Sequence, residues 1–236
     1  MNLGEIFSRV GEKRERGYRL AVMVLAVATG LFGIWLLIGE AVSIGLSSLQ
    51  ADTASAPQET VRSLAETGID VAIGRKDLRE ALVRINMNRL DAASDDLQAI
   101  DAEATRQVAI DGVSIAPSDS YLWLSLARLS ALQKRDDGQV RDILTMSYLT
   151  GPNNAGLMYP RLQLIFGLPT PPDGYLRDAA RRELRTLAKL DKAFKAKIAD
   201  VYRHASDTGR SELRQLLDEV EPGLSRIVMD EAEQRG

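Results

Sequence analysis

The pattern of apolar and polar positions changes character twice along the chain. From Leu20 to Gly39 runs LAVMVLAVATGLFGIWLLIG, without one charged residue. At about 1.5 Å per residue, about twenty helical residues match a hydrocarbon core of roughly 30 Å, so the run predicts a transmembrane helix over 20–42. A buried helix of a soluble domain fits less well, because such helices seldom lack polar positions over five turns. Beyond the run, apolar residues recur at spacings of three and four, and no alternating β-branched stretch is long enough for a strand. The expected architecture is therefore all-α: a short segment over 1–19, the membrane helix, a polar linker over 43–60 containing ADTASAPQET, a helical-hairpin region over 61–167, and a helical block over 168–236.

Within the hairpin region, Leu78, Leu82 and Ile85 mark a helix opened by Asp77 and Glu80, an acidic relative of the capping box. After Asp95-Asp96, a second helix carries Ile100, Ala104 and Val108 and is expected to end by Gly112. Ser118 or Asp119 caps a third, with Leu122, Leu126 and Leu129 on one face and a stop at Asp136-Asp137-Gly138. Val140, Ile143, Leu144 and Ser147 give a fourth, closed by Gly151-Pro152. The prolines of GLPTPPDG, Gly167 to Gly174, then break the helical pattern. In the last block, Leu176, Ala180, Leu184 and Leu187, then Phe194, Ile198 and Val201, trace apolar stripes. SDTG at Ser206 to Gly209 reads as a turn before Leu213, Leu216, Leu217 and Val220, and the tail EAEQRG beyond Pro222 is expected to fray.

Charge sets the orientation. Arg9, Lys13, Arg14, Arg16 and Arg19 precede the apolar run, and after Glu40 no Lys or Arg occurs until Arg62. The positive-inside rule then places the amino terminus in the cytoplasm and the main domain outside, in the periplasm if the membrane is a bacterial inner membrane. A cleaved signal peptide shares the basic start, but its apolar part normally spans only about 7 to 15 residues. The Ala54-Ser55-Ala56 match, followed by Pro57, also lies far downstream of the run. The formal charge is -3 over the whole chain, and there is no long Lys/Arg run with interleaved aromatics, so nucleic acid is not an expected partner. With no cysteine, the chain has no thiol nucleophile and no zinc-finger ligand set.

Pro117 and Pro152 stand 35 apart, and at the same shift Leu122 matches Leu157 and Leu129 matches Leu164. Over roughly 77–167 the chain resembles the tetratricopeptide repeat, a helical hairpin of about 34 residues whose copies stack into a curved array. Of the signature Trp-x-x-Leu-Gly-x-x-Tyr only Trp123 and Leu126 are present, with Ala127 where the glycine would stand. APSDSYLWLSLARL and the following SYLTGPN are also similar to repeat-like proteins associated with exopolysaccharide or O-antigen assembly. This resemblance implies an accessory role in envelope polysaccharide assembly or export.

Candidate chemistry is sparse. His204 is the only histidine, placed in YRHAS before a turn, where an imidazolium suits the end of a helix dipole. Asp95-Asp96 and Asp136-Asp137 lack the Asp-x-Asp-x-Asp-Gly order of a calcium loop and suit turns. Arg177, Arg181, Arg182 and Arg185, interleaved with Asp178 and Glu183, suit a solvated helix face. No catalytic residue, metal site or cofactor is expected. Tyr121, Trp123, Tyr148 and Tyr159 cluster around the best repeat, either filling gaps between helices or anchoring a partner. Tyr121, Trp123 and Tyr159 are the candidate protein-binding residues. The expected function is a membrane-anchored scaffold for protein partners in the cell envelope. A chaperone-like helper of the secretion translocon shares this layout, and a carboxylate-dependent hydrolase is the catalytic alternative.

Overall fold

The computed structural model describes residues 22–34, 37, 76–92, 95–172 and 174–234, and among them finds ten helices and no strand. The chain divides into two compact units, 1–78 and 79–236. In the first, the helix over 22–34 (α1) exposes its large apolar side chains all round, Leu25 and Leu31 among them at 68% and 62%. No helix among the described residues is long and apolar enough to cross a membrane. Apart from Leu37, the rest of the predicted span 20–42 lies outside the described residues, as do the basic segment 1–19 and the linker 43–60.

The remaining helices are α2 (Lys76–Ala92), α3 (Asp95–Ile115), α4 (Ser120–Leu132), α5 (Asp137–Thr150), α6 (Ala155–Gly167), α7 (Gly174–Leu190), α8 (Phe194–His204), α9 (Asp207–Val220) and α10 (Leu224–Gln234). Several begin where a side-chain oxygen meets the free N–H groups of a first turn. Asp119 Oδ1 accepts from the N–H of Tyr121 at 3.0 Å and of Leu122 at 3.2 Å, and Asn154 Oδ1 accepts from Gly156 at 3.2 Å. These two caps are 35 apart, and so are the starts of α4 and α6. The 35-residue spacing read from the prolines is thus the spacing of two capped helices. α4 pairs with α5, α6 packs on α4, and α7 packs on α5, hairpin over hairpin.

Two apolar clusters hold the second unit together. Val83, Met87 and Leu90 of α2, Ala102, Ala109 and Val113 of α3, and Leu122, Leu126 and Leu129 of α4 form one. The other runs from Leu124 and Ala127 of α4 to Val228 and Ala232 of α10, and Tyr121 packs against both. Each fully buried Leu or Ile contributes about 1.5–3 kcal/mol relative to exposure, and this burial offsets the ordering of a chain with no disulfide.

Four expectations are corrected. α3 does not end by Gly112 but runs on to Ile115: a Cβ at Gly112 would lie 3.0 Å from Leu122 Cδ1, so the glycine serves close packing of α4 rather than termination. The buried face of α3 is accordingly Ala102, Thr105, Ala109 and Val113, while Ala104 is exposed; on α2, Ile85 is only half-buried. α4 ends at Leu132, before the expected stop, and Asp136 instead caps α5 by accepting from Gln139 N–H at 3.2 Å. The tail does not fray at 231: α10 runs to Gln234 because Leu224, Val228 and Ala232 form a buried stripe, packed chiefly against α8.

Candidate functional site

The sequence of α6, AGLMYPRLQLIFG, carries two stripes. Met158, Arg161, Leu162 and Ile165 point into the core, and Pro160, Gln163, Leu164 and Gly167 lie at i, i+3, i+4 and i+7 on another face.

Arg161 is fully buried, and its guanidinium is matched by the surrounding helices. Nε donates to Ser147 Oγ at 3.1 Å, Nη1 to Glu183 Oε1 at 3.2 Å, and Nη2 to the carbonyls of Ser147 at 2.5 Å and Gly151 at 3.0 Å. The cation also lies 4.6 Å from the centre of the Tyr148 ring. Tyr148 donates its hydroxyl to Glu183 Oε2 at 2.9 Å, and Ser147 Oγ donates to the Ser120 carbonyl at 2.8 Å. This network ties α4, α5, α6 and α7 together. Burial pushes the Glu183 carboxyl up to about 7, the opposing pull of Arg161 and the bonds from Tyr148 and Arg161 being too small to offset it. Burial likewise raises the Tyr148 phenol well above its ordinary value. Gly151 is required here: a Cβ would collide with the Ser120 side chain.

The other stripe lines a cavity of about 600 Å³ between the end of α4, the 133–136 loop and α6. Its apolar walls are Leu90, Ala131, Leu132, Pro160, Leu164 and Leu168, and three cations, Arg128, Lys134 and Arg135, and one carboxylate, Asp137, also line it. Asp137 accepts from Thr170 Oγ1 at 2.8 Å, and Arg135 lies 3.6 Å from Glu103. Lys134 has φ 52°, the left-handed region, which turns the chain from α4 into the loop. A second cavity of about 450 Å³ continues from Gln163, which lines both, to Tyr159, Lys197, Asp200 and Arg203. The two cavities share Gln163 of α6 and are together termed the trough.

Of the expected binding residues, only Tyr159 reaches this trough. Its hydroxyl donates to Asp191 Oδ2 at 3.0 Å and its ring lies 4.8 Å from Lys197 Nζ. Burial and the bond to Asp191 raise the Tyr159 phenol, while the Lys197 ammonium holds the Asp191 carboxyl below its ordinary value. Tyr121 lies between the two apolar clusters, with Arg84 4.0 Å from its ring centre. Trp123 packs against the α2–α4 cluster and donates Nε1–H to the Pro117 carbonyl at 2.8 Å. Neither lines either of these two cavities. His204 is the last residue of α8 and exposed, with Nδ1 2.9 Å from the Asp200 carbonyl. Within the arginine cluster of α7, Arg182 and Arg185 are exposed, whereas Arg177 meets Glu212 at 2.5 Å and Glu219 at 2.6 Å, joining α7 to α9. Among the described residues, no group of three or more His, Cys, Asp or Glu side chains is placed to hold a metal ion.

Sequence reasoning missed the trough because Leu132, Leu164 and Leu168 look like ordinary core positions. The available signal was the apolar periodicity of α6, which exceeds what one buried stripe needs. No protein-family model, no curated protein and no solved structure matches this chain.

Proposed function

We propose that this chain is a non-catalytic adapter, anchored in a bacterial inner membrane by the helix at 20–42, with its amino terminus cytoplasmic and a helical domain that holds protein partners in the periplasm. The observation that carries the reading is the trough along α6, a concave surface with an apolar floor and a charged rim on a body of stacked helical hairpins. Such bodies present extended surfaces to partners. The anchor is supported by α1, whose apolar side chains are exposed all round. Water disfavours such exposure by about 25 cal/mol per Å², and a hydrocarbon core does not. The equal spacing of the caps of α4 and α6 supports a tetratricopeptide-like array, and the similarity to polysaccharide-assembly proteins directs the search for partners to envelope polysaccharide export.

An alkaline phosphatase fusion after Gln50 tests the anchor and is expected to be active; activity only from a cytoplasmic reporter at that point reverses the topology. Photo-crosslinkers at Tyr121, Trp123 and Tyr159, compared with Asp95 and Asp136, test the adapter role in membranes. Adducts with a defined protein are expected at Tyr159, the one of the three that lines the trough. Loss of function from Asp96→Asn or His204→Ala, in a protein that still folds, favours the hydrolase instead.

A further inference from the structure

The chemistry of the trough specifies its occupant more narrowly than the adapter reading, on which this inference rests. Its larger cavity is walled by aliphatic side chains and contains no aromatic ring, so it lacks the flat platform on which a sugar stacks. It is concave, which suits an inserted side chain and not a planar bilayer surface. Its lining carries Arg128, Lys134 and Arg135, the last paired with Glu103 at 3.6 Å, and one carboxylate, Asp137, in a chain whose formal charge is -3. The second cavity, which shares Gln163 with the first, adds Tyr159 and Lys197 to the surface. An apolar anchor surrounded by opposite charge is the common arrangement for binding an amphipathic protein segment.

We propose that the trough binds an acidic amphipathic segment of a partner protein: aliphatic side chains enter the pocket between Leu132 and Leu164, and flanking carboxylates meet Arg128 and Lys134. The charge on the rim selects sign, and the floor supplies the anchor.

The test uses the full chain in phosphatidylcholine nanodiscs and a fluorescein-labelled designed helical peptide with Leu at every third and fourth position and Glu on the other face. Its control carries Lys in place of Glu. Fluorescence anisotropy is expected to give at least about tenfold tighter binding of the Glu peptide, a preference that reverses in Arg128→Glu/Lys134→Glu. Leu164→Asp, with an unchanged circular dichroism spectrum, is expected to weaken both peptides by at least about tenfold. Equal affinity for the two peptides, or affinity indifferent to these substitutions, overturns the proposal. So does competition by phosphatidylglycerol vesicles that is lost in the same variants, which would assign the trough to lipid, or self-association that they abolish, which would assign it to a second copy. If the peptides fail while crosslinks at Tyr159 persist in membranes, this proposal falls and the adapter reading stands. If the peptides bind while no membrane partner is captured at any aromatic position, the adapter reading is the one that falls.

Discussion

The two stripes of α6 solve opposite problems with residues that interleave along one helix. On the buried stripe, Arg161 is wholly enclosed, and four hydrogen bonds, one of them to a carboxylate, and a ring accommodate its charge. On the open stripe, Gln163 is exposed, Leu164 is half-buried, and the cations of the neighbouring loop stand at the rim of a cavity. The difference separates stability from recognition. Substitutions on the buried stripe act on folding because they strand polar groups without water, whereas substitutions on the open stripe leave folding nearly unchanged and act on what binds.

The comparison is broken most severely at Arg161. Arg161→Met leaves Glu183 buried without its cation, a loss of about 3–5 kcal/mol, and the melting temperature of the full chain in detergent is expected to fall by roughly 10 °C. Adding Glu183→Met should restore most of that loss, since an apolar pair of similar volume replaces a desolvated one. Failure of the double variant to recover would mean that the network itself specifies the packing of α5 on α7.

The same network gives a pH dependence of definite sign. The folded chain holds the Glu183 proton up to about 7, whereas the unfolded chain releases it near 4.5, so the folded state binds more protons between those values. Stability therefore falls as pH rises from about 4.5 to 7, by up to roughly 3 kcal/mol. Thermal scans across this range test it: Glu183→Gln should flatten that part of the profile, and no open-stripe substitution should do so.

A smaller effect is expected at Gly209. A Cβ there would fall on the Phe166 carbonyl oxygen, because Ser206 both caps α9, accepting from Gly209 N–H at 3.0 Å, and donates to the Leu168 carbonyl at 2.7 Å beyond the end of α6. Gly209→Ala is expected to cost about 1–3 kcal/mol in chemical denaturation. The smallest effect has the opposite sign. Lys134→Gly keeps the left-handed conformation but removes the roughly 1 kcal/mol it costs a side-chain-bearing residue, so it should stabilise slightly while weakening binding of the acidic peptide. A gain in both would contradict the division between the stripes.

Local features were the legible ones. Asp119 as a cap, the 35-residue spacing, and the breaks at Gly151-Pro152 and GLPTPPDG follow from chemistry within a few residues, and the helices obey them. Gly112 misled because the same lack of a Cβ that ends helices also permits close packing, and only the position of Leu122 distinguishes the two. SDTG, read as a turn, is instead the start of a helix, with Ser206 as cap and Asp207 to Gly209 in the first turn of α9; the bonds from Ser206 to the Phe166 and Leu168 carbonyls span about forty residues and leave no trace in spacing. Arg161 and Glu183 belong together for reasons of fold alone; the one clue was an arginine inside the apolar stripe Met158, Leu162, Ile165. α10 was missed because its buried stripe is thin, Leu224, Val228 and Ala232, while Ile227 and Met229 lie off it and blur the period.

The division between the stripes, and the partner it implies, is tested most directly by scanning a photo-crosslinker over exposed and half-buried positions of the full chain in native membranes. Gln163 and Leu164 sample the trough, and Leu149 and Leu190, exposed leucines elsewhere in the domain, are the controls. The account predicts an adduct of one defined mass from Gln163 and Leu164, lost when Lys134→Glu is introduced, and none from Leu149 or Leu190. Adducts from the control leucines alone, or trough adducts that persist unchanged in Lys134→Glu, would contradict it.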